Sequence, residues 1–377
     1  MDSLNRKLRW WSKDVSFAEM KGSAMMQPIP EAAQAERLTS TLRRAGVLGE
    51  GHVSNVTVES SRDTILSRII RLRLNYSGAV GDAPRFLIYK TSHPDRVGDA
   101  LHAGRQEVAF YNQIAPMMPA KIVPRCFQAH RDAETNVWHL LLEDLTETHA
   151  VPTQWPLPPS RQQCGVIVRA HARLHASWWD SPRLGVTVGT WLDAEAMDRQ
   201  MQRVADDFQR FADSAGDLLS RERRGLYEQL LSSAPRLLQR YHSHRNFTIT
   251  QGDAHVWNIF LPKDHQSDDA RLFDWDAWRL DVASRDLAYM IAMHWYPDRR
   301  EEMEGALLDE YHDTLVARGV QGYDRDALEA DYRLSVLWQI TTPVWQAVNN
   351  IPTVIWWNNL ERIMLAVADL DCRSLLN

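Results

Sequence analysis

The sequence is poor in cysteine: Cys126, Cys164 and Cys372 are the only three in 377 residues, far apart and odd in number. A disulfide framework would be sparse at this length, and no Cys-x-x-Cys spacing offers a zinc site. Long apolar runs are also lacking. No stretch approaches the roughly 18 apolar residues of a membrane span. The first twenty residues are charged and contain no apolar core of a secretory signal. Nor is there an excess of positive charge, since 43 Lys and Arg against 49 Asp and Glu leave a net charge of −6. Such a chain lacks the dense positive field that nucleic-acid binding draws on. No Gly-x-Ser-x-Gly elbow is present to raise a serine nucleophile. These absences predict a cytoplasmic protein with neither membrane nor nucleic acid among its partners.

What is present fits a globular protein: 44% apolar and 24% charged residues. At about 150 residues per domain the length predicts two or three domains. The 15 Trp outnumber both the 10 Tyr and the 9 Phe. Most should fill the core, and the late group Trp338, Trp345, Trp356 and Trp357 reads either as core or as an aromatic wall for a ligand.

The front of the chain alternates as strands do. Runs at 52–60, 64–76 (with Ile65, Ile69 and Ile70), 85–91, 122–130 and 137–142 predict a small sheet, with a helix over 101–114. Four prolines (Pro152, Pro156, Pro158 and Pro159) mark a connection. Beyond it, helical spacing dominates: 160–178, 194–213, 219–241, 284–295, 300–318, 325–341 and 353–372. One non-helical island, 247–278, interrupts them.

That island carries the most suggestive chemistry. Asp253 and Asn258 stand in Asp-x-x-x-x-Asn spacing, and Asp274 follows a short apolar strand. Phosphoryl transfer uses this arrangement. The first Asp orients the attacking hydroxyl and takes its proton, while the Asn and the second Asp offer oxygens to Mg²⁺. The five-residue spacing alone is equally an ordinary capped turn. Upstream, Lys90 sits inside the apolar strand 86–90 and Glu107 lies on the next helix, the order in which a strand Lys and a helix Glu hold nucleotide phosphates. The alternative is an edge-strand Lys facing water. Gly49 and Gly51 precede the first strand and could admit backbone N–H groups to a phosphate, or simply make a turn. His171 and His175 are spaced to share a metal, but no third ligand is evident and helix packing accounts for them. Asp276 and Asp281 read either as attraction for a cationic acceptor or as residues facing water. No Asp-Phe-Gly or Ala-Pro-Glu follows, so an activation segment of the protein-kinase type is excluded.

In this order the residues are similar to the aminoglycoside phosphotransferase and choline kinase-like superfamily, especially its ecdysteroid-kinase-like branch. The resemblance spans about residues 48–290. It rests on Glu107-Val-Ala-Phe-Tyr111, Leu141-Leu-Glu-Asp-Leu145, Ala172-Arg-Leu-His-Ala176, Gln251-Gly-Asp-Ala-His-Val-Trp-Asn-Ile-Phe260, Phe273-Asp-Trp-Asp276 and Arg285-Asp-Leu-Ala288. It implies an α+β, two-lobed protein-kinase-like fold, with a small antiparallel-sheet N-lobe and a larger, mainly helical C-lobe. Residues 1–146 would form an N-terminal extension and nucleotide-binding lobe, and 147–377 the lobe with the catalytic loop and acceptor pocket. It implies an ATP- and Mg²⁺-dependent enzyme that phosphorylates a hydroxyl of a small molecule: an aminoglycoside, another glycoside, an amino alcohol or a steroid-like alcohol. Asp253 would be catalytic, and Asn258 and Asp274 the metal ligands. Lys90 and Glu107 would form the phosphate-binding pair, with Gly49 and Gly51 near the phosphates. Glu143, Asp144 and Leu145 would present backbone to adenine, and His175 and Asp286 would be structural. The family's usual His-Gly-Asp is here Gln251-Gly-Asp253, which leaves a catalytically silent, kinase-fold binding protein as the alternative.

Overall fold

The computed structural model describes residues 29–64, 67–93, 104–119 and 121–377. The readings of the first twenty residues, of Ile65 and of helix positions 101–103 fall outside these. The chain divides into two compact units. The first comprises Met1–Gly104, Arg125–Asp144 and Gln154–Pro156, and the second Arg105–Pro124, Leu145–Thr153 and Leu157–Asn377.

In the first unit, strands β1 (His52–Asp63), β2 (Ser67–Ser77), β3 (Phe86–Ser92), β4 (Cys126–Arg131) and β5 (Trp138–Glu143) form an antiparallel sheet in the order β1-β2-β3-β5-β4. Period-two alternation divides its faces. Ile70, Leu72 and Leu74 of β2, Leu87 and Tyr89 of β3 and Leu141 of β5 pack against helix α1 (Ala35–Arg44), which contributes Leu38 and Leu42. The N–H of Val53 donates to Thr39 Oγ1 at 2.9 Å and ties the start of β1 to the helix. Ile69, Arg71, Phe86, Ile88, Lys90 and Leu140 therefore lie on the face away from α1. Because β3 is the middle strand, the edge-strand reading of Lys90 does not hold, and its side chain is buried.

Helix α2 (Arg105–Gln113), which the division at 146 would group with the sheet, packs within the second unit. Local contacts explain this. The Phe110 ring stacks on Trp275 with centroids 3.9 Å apart, Trp278 Nε1 donates to the Gln106 carbonyl at 2.9 Å, and the Leu272 N–H reaches the Ile122 carbonyl at 2.8 Å.

The rest of the second unit runs β6 (His149–Ala150), α3 (Arg161–Trp178), α4 (Ala194–Ala215), α5 (Arg221–Leu237) and the short α6 (Gln239–His242). The island follows with β7 (Phe247–Thr250), β8 (Ile259–Pro262) and β9 (Arg271–Leu272), and β10 (Arg279–Val282) comes directly after it. Five helices close it: α7 (Ser284–Met290), α8 (Pro297–Ala317), α9 (Arg325–Gln339), α10 (Thr341–Val348) and α11 (Thr353–Asp369). β7 pairs antiparallel with β10, and β8 lies between β6 and β9. Helix α3 begins in a capping box, Ser160 accepting from the Gln163 N–H while the Gln163 side chain returns to Ser160. Among the described residues no helix is long and apolar enough to cross a membrane.

Candidate active site

β7 ends at Thr250 and the chain turns through Gln251, Gly252 and Asp253. Gly252 has φ +82°, and a Cβ there would stand 2.1 Å from the Ala277 carbonyl oxygen, so only glycine makes this turn. The turn is held by Asp286 of α7. Its carboxylate accepts the N–H groups of Gln251 at 2.7 Å and Gly252 at 3.0 Å. It is also paired with His175 Nε2 at 3.2 Å, and His175 Nδ1 meets the Tyr311 hydroxyl at 2.7 Å. Burial works against the charge of Asp286, but the His175 hydrogen bond and the backbone donors outweigh it and hold the carboxyl below its usual range. His171 and His175 thus serve the loop: His171 Nε2 lies 3.3 Å from Gln251 Oε1.

Gln251, the departure from the family's usual histidine, is fully buried and its amide is used at both ends. Its Nε2 donates to the Phe273 carbonyl at 2.6 Å and points toward the Asn258 carbonyl at 3.4 Å. The Phe273 N–H in turn donates to the Asn258 carbonyl at 3.1 Å. One side chain therefore fixes the loop of Asp253, the turn of Asn258 and the residue before Asp274. The Asn258 amide donates to the Asp253 backbone carbonyl at 3.0 Å and to Asp253 Oδ2 at 3.1 Å. Asp274 adopts φ +65°, a left-handed backbone that a short polar residue tolerates better than a branched one.

Three further residues lie near this network, and of them only Tyr289 falls outside the motifs read in the sequence. The Tyr289 phenol stands beside Asp253, whose charge adds to burial in pushing the phenol up. His255 Nε2 lies 3.6 Å from Asp253 Oδ2. Asp276 Oδ1 accepts the Glu107 N–H at 3.3 Å. Among the described residues, Glu107, Asp274 and Asp276 offer carboxylate oxygens all within 4.8 Å of one another. Hard oxygen donors of this kind suit a hard divalent cation rather than a soft metal.

The first unit holds the remaining sequence-read residues. Lys90 lies opposite Ile69 and Leu140. Glu143 closes the sheet: its N–H donates to the Arg125 carbonyl at 2.8 Å and its carboxylate accepts the Arg125 N–H at 3.1 Å. Asp144 is paired with Arg71 Nε at 2.5 Å, and the Arg71 guanidinium stacks on Phe86 at 4.1 Å. Leu145 begins the next stretch of the second unit, where its carbonyl accepts from His149 at 2.8 Å.

Two sequence readings need correction. Gly49 and Gly51 are not placed with Lys90. They precede His52, which pairs with Ser77, whereas Lys90 shares a row with Arg62, ten residues further along β1. Gly51 is required by packing: a Cβ would lie 2.6 Å from the Ala79 oxygen and 2.7 Å from the Ser77 oxygen. Asp281 neither faces water nor awaits a cationic ligand. It is buried with Arg285 Nε at 3.4 Å, and burial pushes its carboxyl up. The late tryptophans do not share one fate: Trp338 is buried, Trp356 lies edge-on to Phe211, and Trp345 is 54% exposed.

The fold is protein-kinase-like. The structure matches that of a Ralstonia eutropha JMP134 protein described as an aminoglycoside phosphotransferase, with a TM-score of 0.57, 12% identity, and coverage of 90% of this chain and 97% of that one. Weaker likenesses include an amicoumacin kinase (TM-score 0.49, 12% identity, 88% and 92% coverage) and a choline/ethanolamine kinase family protein from Mesorhizobium loti (0.46, 12%, 91% and 94%). No curated protein matches the chain by sequence. The sequence model of the ecdysteroid kinase-like family matches residues 61–179 and 187–319, more than half of the chain, and the chain belongs to that family.

Proposed function

We propose that this protein transfers the γ-phosphoryl group of ATP to a hydroxyl of a small molecule. The observation that carries the reading is the single buried network in which Gln251 and Asp286 fix Asp253, Asn258 and the approach to Asp274. Asp253 orients the acceptor hydroxyl and takes its proton as the new P–O bond forms. The bond from the γ-phosphorus to its bridging oxygen breaks, and ADP leaves. Asn258 keeps Asp253 Oδ2 occupied, so the carboxylate is held in one orientation. Asn258 and Asp274 would hold Mg²⁺, which when bound offsets the charge of the phosphates. Lys90 provides a fixed positive charge for the nucleotide. The residues do little covalent chemistry, and their contribution is position and charge.

The test is a phosphorylation screen with MgATP over aminoglycosides, macrolides, amino alcohols, sugars and sterol alcohols, read by mass spectrometry, with Asp253→Asn as the blank. A phosphorylated product that the blank does not form is the expected result. An Asp253→Asn chain as active as the wild type would show that another group takes the proton. A chain that binds ATP and phosphorylates none of these acceptors would be a silent relative.

A further inference from the structure

The rings beside Asp253 continue as an aromatic patch within the second unit. His255, whose Nε2 lies 3.6 Å from Asp253 Oδ2, has its ring centroid 6.0 Å from that of His294. Trp257 and Tyr289 stand against the same His294 ring at 5.6 and 5.1 Å. Two residues beyond His294, Tyr296 is 46% exposed and meets helix α11. Its hydroxyl donates to Asn358 Oδ1 at 3.2 Å, and the Arg362 guanidinium lies 5.5 Å from its ring centroid. Asn358 and Arg362 are four positions apart, so one face of α11 carries both.

Arg362 closes this patch as a cation without an acid. The side chain is half-buried, and burial lowers its guanidinium. Among the described residues no carboxylate lies within ion-pair distance of it, and the adjacent Glu361 is taken by Arg223 at 2.6 Å. Its Nη2 donates to Asn359 Oδ1 at 2.9 Å, an uncharged amide, while its buried Nε has no partner. Nη1 makes no hydrogen bond and is not enclosed. Other arginines of the unit show the usual arrangement: Arg240 pairs with Asp331 at 2.7 Å, and Arg300 with Asp369 and Glu304. A charge drawn out of water without a counter-ion costs free energy, which an anion arriving from outside offsets. The same charge helps to keep His294 neutral, so that ring does not compete for the anion. A cationic acceptor would meet like charge here.

We propose that Arg362 binds a carboxylate of the acceptor while Asp253 holds its hydroxyl, the apolar body lying along the rings between them. The acceptor class is then a hydroxyl-bearing carboxylic acid. This rests on the phosphoryl transfer written above, whose bond changes are the same, and names its acceptor. The test offers the full chain MgATP with hydroxyl-bearing carboxylic acids of straight-chain, aromatic and steroid build, each beside its methyl ester. Products are read by mass spectrometry and rates by steady-state kinetics. At least one acid should react with kcat/KM about ten- to a hundredfold above its ester, the scale of a hydrogen bond to a charged group. Arg362→Gln should bring that acid down to the level of its ester, mainly through KM, and Arg362→Lys should recover part of the preference. The urea midpoint of Arg362→Gln should be no lower than that of the wild type, since the substitution leaves no acid unpaired. An equal loss on acid and ester would overturn the assignment, because the effect would then be one of structure. If the wild type uses acids no better than their esters, or phosphorylates only neutral or cationic compounds of the wider screen, Arg362 is not the anchor and phosphoryl transfer stands. If it phosphorylates nothing in either panel, phosphoryl transfer itself falls and takes Arg362 with it.

Discussion

Tyr289 holds its phenol against the Asp253 carboxylate in a place where burial first, and the carboxylate charge second, keep the phenol proton on well above the ordinary range. The phenol therefore keeps its proton beside Asp253. Tyr289→Phe should lower kcat by roughly ten- to a hundredfold, the scale of one hydrogen bond to a charged group, and leave the KM for ATP unchanged. Steady-state kinetics on the acceptor found by the screen would show the split. Gly252→Ala is expected to be far more disruptive, since its Cβ would meet backbone that cannot swing aside. Soluble yield and thermal unfolding would register it. The association of Asn258 with Asp253 was legible in the sequence because the two stand five residues apart. Tyr289 was not, because its hydroxyl reaches Asp253 from a helix 36 positions away. Gly49 and Gly51 were misplaced for a related reason: a pair of glycines beside a strand does not say which end of the neighbouring strands it faces.

At the level of elements, apolar spacing located the long helices well. Helix α3 spans Arg161–Trp178 against an expected 160–178, and α8 and α11 start or stop within three residues of their expected ends. Helix α10 (Thr341–Val348) was not expected; its Pro343 lies in the first turn, where proline costs little. Strand β10 was hidden by its charged residues, and only pairing with β7 makes it a strand. Helix α1 is the largest gain over the sequence. It covers the sheet face opposite Lys90, with Leu38 and Leu42 fully buried. Leu42→Ala should cost the first unit about 2–4 kcal/mol, the usual range for a buried leucine, seen as a lower urea midpoint.

For the molecule as a whole, buried histidines set the response to acid. His294, whose Nδ1 meets the Tyr289 carbonyl at 2.7 Å, is pushed down to about 3, by burial first and then by the neighbouring charges of His255 and Arg362. The folded chain leaves it neutral, whereas the unfolded chain protonates it near 6.5. Stability therefore falls as pH drops below about 6.5, by roughly 1.4 kcal/mol per unit for this group. His139, brought down to about 4 by burial, acts in the same sense. Asp286 does not interfere in that window. Its depressed carboxyl contributes stability that persists above the unfolded carboxyl range and is lost only at lower pH, as it finally protonates. Urea unfolding between pH 7 and pH 5 should thus show a steep loss, and His294→Gln should flatten it.

Against this acid sensitivity, the pin that joins the loop of Asp253 to the approach of Asp274 is a primary amide. Gln251 carries no titratable proton, so its bonds to Phe273 and His171 involve no gain or loss of charge on its own side chain between neutral and mildly acidic solution. An imidazole there would present one tautomer at neutral pH and a positive ring beside the buried His171 once protonated. Gln251→His should accordingly add a titratable ring at a fully buried position, where burial holds its protonation below the ordinary histidine range. Comparing the pH–rate profiles of variant and wild type would show the added acid limb. The substitution that looks like erosion of a motif would then be what uncouples the geometry of the loop from the proton concentration around it.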